Sequence, residues 1–245
     1  MSLSRLDFVI PARDSACWLA HAVESCLKQT YPNVGIIVVD DASTDSTPKL
    51  MDFLCGRHPQ IQYLRVPERV GRSVARNLGN QAAAGEFIAV LDADDIAYPK
   101  RAQLSVSALQ NADFVHGSCE YIDALGNKLV VQDRYGRPQE AYFADVFDKG
   151  MALSGDMLNY IVHSTAAYKR EVAVRFPYRG GDYAALGLDD WAFELDVAFS
   201  GLKMDHIPVV IGAYRNLESG ISKQRDPEKV KAVKTAFLES LKVSA

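Results

Sequence analysis

No apolar run in this chain of 245 residues comes near the ~20 residues needed to cross a bilayer. The apolar start, Phe8 to Ile10, is stopped by Pro11, Arg13 and Asp14, well short of a secretion-signal core. Cysteine is sparse. Cys17, Cys26, Cys55 and Cys119 are scattered and form no C-x-x-C pair, which argues against a zinc or disulfide framework. Basic excess is missing too: the net charge is −4, so no broad basic surface for nucleic acid is expected. No Gly-rich phosphate loop follows the first apolar segment. "IPARDSACW" carries neither G-x-G-x-x-G nor G-K-[ST], which disfavours dinucleotide binding and P-loop hydrolysis. Together these absences predict a soluble cytoplasmic protein with reduced thiols, at most attached peripherally to the inner face of a membrane.

Apolar residues make up 48% of the chain, enough for a sizeable core. Strand and helix patterns alternate through the first half. Strands are predicted at 6–11, 34–40, 61–66, 86–91 and 113–123, with helices at 16–30, 43–57, 71–84 and 100–111. This alternation predicts an α/β fold with a doubly wound, mostly parallel sheet, whose ligands bind beyond the carboxyl ends of the strands. The second half is less regular. It has Gly- and Asp-rich loops (126–127, 133–138, 180–190), a helix from Asp189 to Ser200, short strands near 203–215 and a closing helix from Pro227 to about Val243. No linker or repeat divides it, so one domain over 1–245 is expected: a binding half to about 120 and a second half to 245.

The strand ends carry the polar residues. "EFIAVLDADD" drives an apolar run into Asp92, Asp94 and Asp95. Carboxylates this close resist joint ionisation, and a hard divalent cation such as Mg²⁺ or Mn²⁺ suits them. The plainer reading is a solvated turn that caps the next helix. An EF-hand is disfavoured, because its sixth position wants Gly and here is Ala97. In "VVDDASTDST", Asp40 and Asp41 end a strand and are placed to accept hydrogen bonds from a base or a ribose; Ser43, Thr44 and Asp45 are equally apt as helix caps. Arg72 and Arg76 in "GRSVARNLG" lie one helical turn apart, on one face, and suit a phosphate or an ordinary charged surface. Asp189 and Asp190 open a helix, where the dipole favours negative charge; one of them is also a candidate general base. Val230, Val233, Phe237 and Leu241 recur at helical spacing and are read first as core or dimer packing, while Lys229, Lys231, Lys234 and Lys242 leave contact with an anionic membrane open.

In this order the motifs resemble the family 2 glycosyltransferases of the GT-A fold. "VIPARD" is similar to their opening V-I-P strand, "VVDDASTDST" to their D-D-x-S-x-D turn and "GRSVARNLG" to their G-x-x-x-A-R-N-x-G helix. "DADD" is similar to the D-x-D element and "LDDW" to E-D-W, with Asp189 in place of Glu. The likeness is close over 6–105 and looser to about 216. It implies a metal-dependent, inverting transfer of a sugar from a nucleoside diphosphate sugar, most simply a UDP-sugar, to a hydroxyl acceptor on a saccharide or lipid-linked saccharide. It also implies the setting, polysaccharide or glycolipid assembly.

On that resemblance Pro11, Ala12 and Arg13 line the base and ribose pocket, and Asp41 accepts the uracil N3–H. Arg76 sits near the nucleotide. Asp92 and Asp94 handle the ribose and a Mn²⁺ or Mg²⁺ on the diphosphate, with Asp95 open as a metal ligand in place of Asp94. Asp190 matches the catalytic base. One departure stands out: the Y-R-x-H-x-x-S-x-S ending reads "YRNLESGIS", which keeps Tyr214, Arg215, Ser219 and Ser222 but has Leu217 where the His belongs. His163 is read as structural ahead of catalytic. Two other readings stay open: a catalytically inactive nucleotide-sugar-binding module, and a sugar-phosphate nucleotidyltransferase, which would want an Arg-bearing, Gly-rich first loop.

Overall fold

β1 (Leu6–Ala12) is buried along almost its whole length, as a strand covered by helices on both faces must be. The structure, a computed structural model, describes residues 3–132, 138–139, 141–142, 161–218, 220 and 225–243. β2 (Val34–Asp40), β3 (Ile61–Arg65) and β4 (Phe87–Val90) join β1 as a parallel block in the order β3-β2-β1-β4. Register runs from Leu6↔Val34 to Ala12↔Asp40, so the carboxyl ends of β1 and β2 finish side by side. Helices α1 (Ala16–Leu27), α2 (Thr47–Cys55) and α3 (Arg72–Ala82) connect these strands.

After β4 come β5 (Ile96–Ala97), α4 (Arg101–Leu109) and the long β6 (Phe114–Ile122). Four two-residue strands follow: β7 (Lys128–Leu129), β8 (Val131–Gln132), β9 (Pro138–Gln139) and β10 (Ala141–Tyr142). A 3₁₀ turn at His163–Thr165 leads into β11 (Ala167–Lys169) and α5 (Arg170–Arg175). Then come α6 (Asp182–Ala185), α7 (Asp189–Phe199), β12 (Met204–Arg215) and α8 (Pro227–Val243). The sheet continues β4-β11-β6-β12-β5. β11 runs antiparallel to both neighbours, while β6 and β12 are again parallel. The expected doubly wound, mostly parallel α/β sheet is what forms.

Side-chain alternation along β1 divides the core. Phe8 and Ile10 face α1, α2 and α4, while Val9 faces the other layer with Ile37, Val39, Ile88 and Val90. α3 lies close against β1 on that second face. A Cβ at Gly79 would sit 2.4 Å from Val9 Cγ1, so only glycine permits the approach that brings the amino end of α3 to the rim. α8 is a surface helix that anchors on the core: Phe237 is buried and its ring lies 5.2 Å from that of Trp191, with the partly buried Leu241 packed beside them.

Two expectations need correction. The short strands expected near 203–215 are one strand, β12, whose register with β6 shifts between Ile207 and Val210 and again between Val210 and Gly212. Pro208 has no N–H to give the ladder, which accounts for a bulge here. The helix expected from Ser43 starts four residues later, at Thr47, because Ser43, Thr44 and Asp45 bind the loop after β1 instead. Ser219, Ser222 and most of the 133–138 loop lie outside the described residues. Among the described residues no helix is long and apolar enough to cross a membrane.

Candidate active site

β1, β2 and β4 end on one edge, and their tips build a polar rim. Pro11 and Arg13 are half-buried and Ala12 is buried. Arg13 Nη1 donates to the Asp41 carbonyl at 3.1 Å, tying the first tip to the second. Asp41 is buried, and its two carboxylate oxygens accept from the Val70 and Gly71 amides at 2.6 and 3.0 Å. Those amides belong to the turn before α3, where Gly71 has φ +86°, a conformation that favours glycine. Asp41 thus fixes the start of α3, and each oxygen keeps one further acceptor site for a ligand. Asp40 serves the scaffold: its oxygens accept from the Ser43 amide at 2.8 Å and the Tyr63 hydroxyl at 2.5 Å.

Arg72 and Arg76 share a face of α3, as their spacing predicts, but that face is turned to the protein's own carboxylates. Arg72 Nε donates to Asp189 Oδ1 at 2.7 Å, with Nη2 on the same oxygen. Arg76 donates from Nη1 to Asp189 Oδ2 at 2.8 Å and from Nη2 to Asp92 Oδ1 at 2.7 Å. Arg76 is only 1% exposed. Arg76 thus joins the turn after β4 to α7. Burial disfavours its charge, but Asp92 and Asp189 outweigh this and raise its pKa further. Asp189 is 0% exposed and ion-paired with two arginines, so it is no simple complement to the helix dipole. Asp190, the next residue, is half-buried, and its Oδ1 accepts the Trp191 amide at 2.7 Å.

The D-A-D-D turn alternates in exposure: Asp92 and Asp94 are partly open, while Ala93 and Asp95 are buried. Burial raises the pKa of Asp92, but the Arg76 guanidinium outweighs it and holds the carboxyl below its usual range. Asp94 is pushed up to about 6, by burial and then by the charge of Asp92. Asp95 is raised well above the usual range by burial and by both neighbours. Its Oδ1 accepts the Arg215 amide at 2.7 Å, while Oδ2 is buried without a hydrogen-bond partner. Among the described residues no three His, Cys, Asp or Glu converge as a ready-made metal site.

Sequence reasoning missed how this turn is held. Arg215 donates from Nε to the Asp94 carbonyl at 2.7 Å and from Nη1 to the Asp123 and Ala124 carbonyls at 2.8 and 3.0 Å. Ser164 Oγ accepts the Asp92 amide at 3.0 Å. The Y-R pair ending β12 was the available signal for Arg215; Ser164 had none. Leu217, half-buried after Arg215, brings no titratable group.

His163 is structural. It is buried, with Nδ1 2.8 Å from Glu194 Oε1 on α7 and Nε2 2.7 Å from the Tyr178 hydroxyl. Burial, aided by Arg76, pushes its pKa down to about 3. Between the ordinary value near 6.5 and about 3 the unfolded chain holds a proton that the folded one does not, so His163 makes stability fall as pH drops through 6.5. The slope is about 1.4 kcal/mol per pH unit. The stability gap between wild type and His163→Gln is therefore expected to narrow by roughly 2 kcal/mol between pH 7 and pH 5, read by urea denaturation. Taking the difference cancels the titrating groups that His163 does not touch; Glu194, 2.8 Å from Nδ1, is the carboxylate it does. A gap that stays constant overturns the neutral assignment.

Comparison with known proteins places the chain. The family model described as glycosyl transferase family 2 matches residues 7–175. The succinoglycan biosynthesis protein ExoO of Rhizobium meliloti is 40% identical over 96 residues, 39% of this chain and 27% of its own length. Among solved structures, S. aureus TarS 1–349 in complex with UDP superposes with a TM-score of 0.70 at 14% identity, covering 97% of this chain and 65% of that one. The mannosyltransferase PcManGT from Pyrobaculum calidifontis, in complex with GDP-Man and Mn²⁺, gives 0.65 at 20% identity, covering 97% and 70%. At these identities the structural likeness shows a common fold, the GT-A fold. The chain spans about half, or less, of the length of the curated relatives it matches.

Proposed function

The chain belongs to glycosyl transferase family 2, and from that premise we propose that it moves a sugar, with inversion, from a nucleoside diphosphate sugar to a hydroxyl acceptor. The observation that carries this reading is the Asp92–Arg76–Asp189 chain of ion pairs. It ties the helix that carries Asp190, the next residue, to the carboxylate turn after β4. A donor lying on the rim would present its anomeric carbon between the two. A UDP-sugar donor is proposed because UDP is the nucleotide bound in the TarS structure, though PcManGT holds GDP-Man. A role in polysaccharide assembly is supported by the name of the ExoO relative.

In the proposed reaction Asp190 takes the proton of the acceptor hydroxyl as its oxygen attacks the anomeric carbon. The bond from that carbon to the diphosphate oxygen breaks, and the electron pair leaves with the nucleoside diphosphate. A single displacement inverts the configuration. Asp41 and Arg13 hold the base end, and Arg215 keeps the D-A-D-D turn in register. The donor set fits a divalent cation, because it is all carboxylate oxygen, Asp94 is partly open and Asp95 Oδ2 has no partner. Asp94 would hold the metal, with Asp92 and Asp95 beside it, and Mn²⁺ or Mg²⁺ there would neutralise the diphosphate.

UDP at 100-fold its Kd with Mn²⁺ is expected to stabilise the protein by about 2.7 kcal/mol, a Tm rise of roughly 5–10 °C. EDTA should remove most of the rise, and Asp94→Asn should remove the metal-dependent part while leaving the unliganded fold intact. Equal stabilisation by UDP with and without metal sinks the metal assignment; none in either case sinks the UDP reading.

A further inference from the structure

β12 carries an aromatic ring to the D-A-D-D turn. It runs antiparallel to β5, with Gly212 opposite Ala97 and Ala213 opposite Ile96, so the next positions to face each other are Tyr214 and Asp95. Residues opposite one another in an antiparallel pair turn their side chains to the same face. The following residue locks this placement: the Arg215 amide donates to Asp95 Oδ1 at 2.7 Å, and Arg215 Nε donates to the Asp94 carbonyl at 2.7 Å. On its other edge β12 pairs with β6, where Tyr214 is in register with Tyr121. The two rings meet edge to face with centroids 5.6 Å apart, a favoured aromatic geometry that holds the Tyr214 ring.

The ring is held, but its hydroxyl is not engaged. Tyr31, Tyr63, Tyr98, Tyr168 and Tyr178 each give their hydroxyl a partner within the protein. The Tyr214 hydroxyl has no hydrogen bond among the described residues. Tyr214 is half-buried, and its oxygen is not one of the buried side-chain atoms left unpaired, so it opens to solvent. Burial and then the negative charges of Asp95, Asp92 and Asp94 raise the pKa of this phenol. It keeps its proton near neutral pH and stands ready as a donor. What it lacks is an acceptor, and the acceptors expected at a carboxylate turn with a divalent cation are the oxygens of a diphosphate.

We infer that Tyr214 is a donor-binding residue whose hydroxyl donates a hydrogen bond to a diphosphate oxygen of the nucleoside diphosphate sugar, beside the metal. The inference rests on the reading of the D-A-D-D turn as the metal and diphosphate site. It deepens that reading by adding a neutral hydrogen-bond donor from β12. Negative charge grows on the diphosphate as the sugar leaves, so this bond strengthens toward the transition state.

Tyr214→Phe removes one oxygen and keeps the ring against Tyr121. Since that oxygen has no partner in the free protein, the melting temperature without ligand should not fall. UDP with Mn²⁺, titrated by calorimetry, should bind roughly tenfold more weakly. Uridine, which has the base and ribose but no diphosphate, should bind the two proteins equally, read by ligand-observed NMR. Equal UDP affinity in wild type and Tyr214→Phe overturns the inference. An equal loss for uridine does so too, since the hydroxyl would then serve the base end. A ligand-free Tyr214→Phe protein that melts clearly lower also overturns it, because the hydroxyl would belong to the scaffold. Failure of the wild type to bind UDP would fault the donor reading instead, so the two failures are distinct.

Discussion

Asp190→Asn is expected to slow sugar transfer by about 10²–10⁴-fold while leaving folding and donor affinity nearly unchanged. The carboxylate sits at the first turn of α7, half-buried, with one oxygen on the Trp191 amide and no hydrogen bond on the other among the described residues. Asparagine keeps the size and the amide contact. It cannot take up a proton at neutral pH, and that proton transfer is the step the residue is proposed to perform. Loss of a charge that favours the helix dipole is worth under roughly 1 kcal/mol, so the melting temperature should barely move. Released nucleoside diphosphate measures the rate, and calorimetry with UDP measures the donor site. A folded Asp190→Asn protein that transfers at near wild-type rate would remove Asp190 from the chemistry.

Much of the fold was legible because the strands are sheathed on both sides. A strand buried on both faces reads as a continuous apolar, β-branched run, and "VGIIVVD" begins and ends where β2 does. Helix starts were less legible, because Ser, Thr and Asp cap helices and also build loops. In "STDSTP", the Ser43 hydroxyl accepts the Asp14 amide at 2.9 Å, and Asp45 reaches back to the Ala16 amide at 3.1 Å. Composition cannot tell such cross-loop bonds from caps. β12 was blurred for a related reason: two register shifts break the alternation that marks a strand.

The site was legible as a set of residues and not as a set of partners. The i, i+4 spacing put Arg72 and Arg76 on one face, and that much is geometry internal to a helix. What the face meets is Asp189, which arrives from the far end of the chain on a different element. The same holds for His163 and Glu194, and for Arg215 and the D-A-D-D turn. Charge in a sequence is visible residue by residue, but its sign of effect depends on burial and on pairing that only the fold decides. Hence a cation pair that suits a phosphate proves to be answered by carboxylates already.

Asp189 puts that difference to the test. Were it only a complement to the helix dipole, Asp189→Asn would cost under roughly 1 kcal/mol. The structure gives it two guanidinium partners and no exposure, and Arg76, equally buried, would keep Asp92 alone. Breaking a buried pair by neutralising one partner typically costs about 3–5 kcal/mol, because a buried charge is left uncompensated. That is a large share of the ~5–15 kcal/mol that holds an ordinary domain together. Urea denaturation is therefore expected to show a clear fall in midpoint for Asp189→Asn, with Asp190→Asn as the neutral neighbour. Asp189→Glu keeps the charge at the expense of one methylene and should fall less. Arg76→Met should also be strongly destabilised, since each variant removes one side of the same buried ion pair. The double variant should cost less than the sum of the two singles, which is the signature of a direct interaction. Additive losses, or an Asp189→Asn protein as stable as wild type, would dissolve the Arg76–Asp189 link. They would also leave the position of Asp190 to the helix dipole and the packing of Trp191 alone.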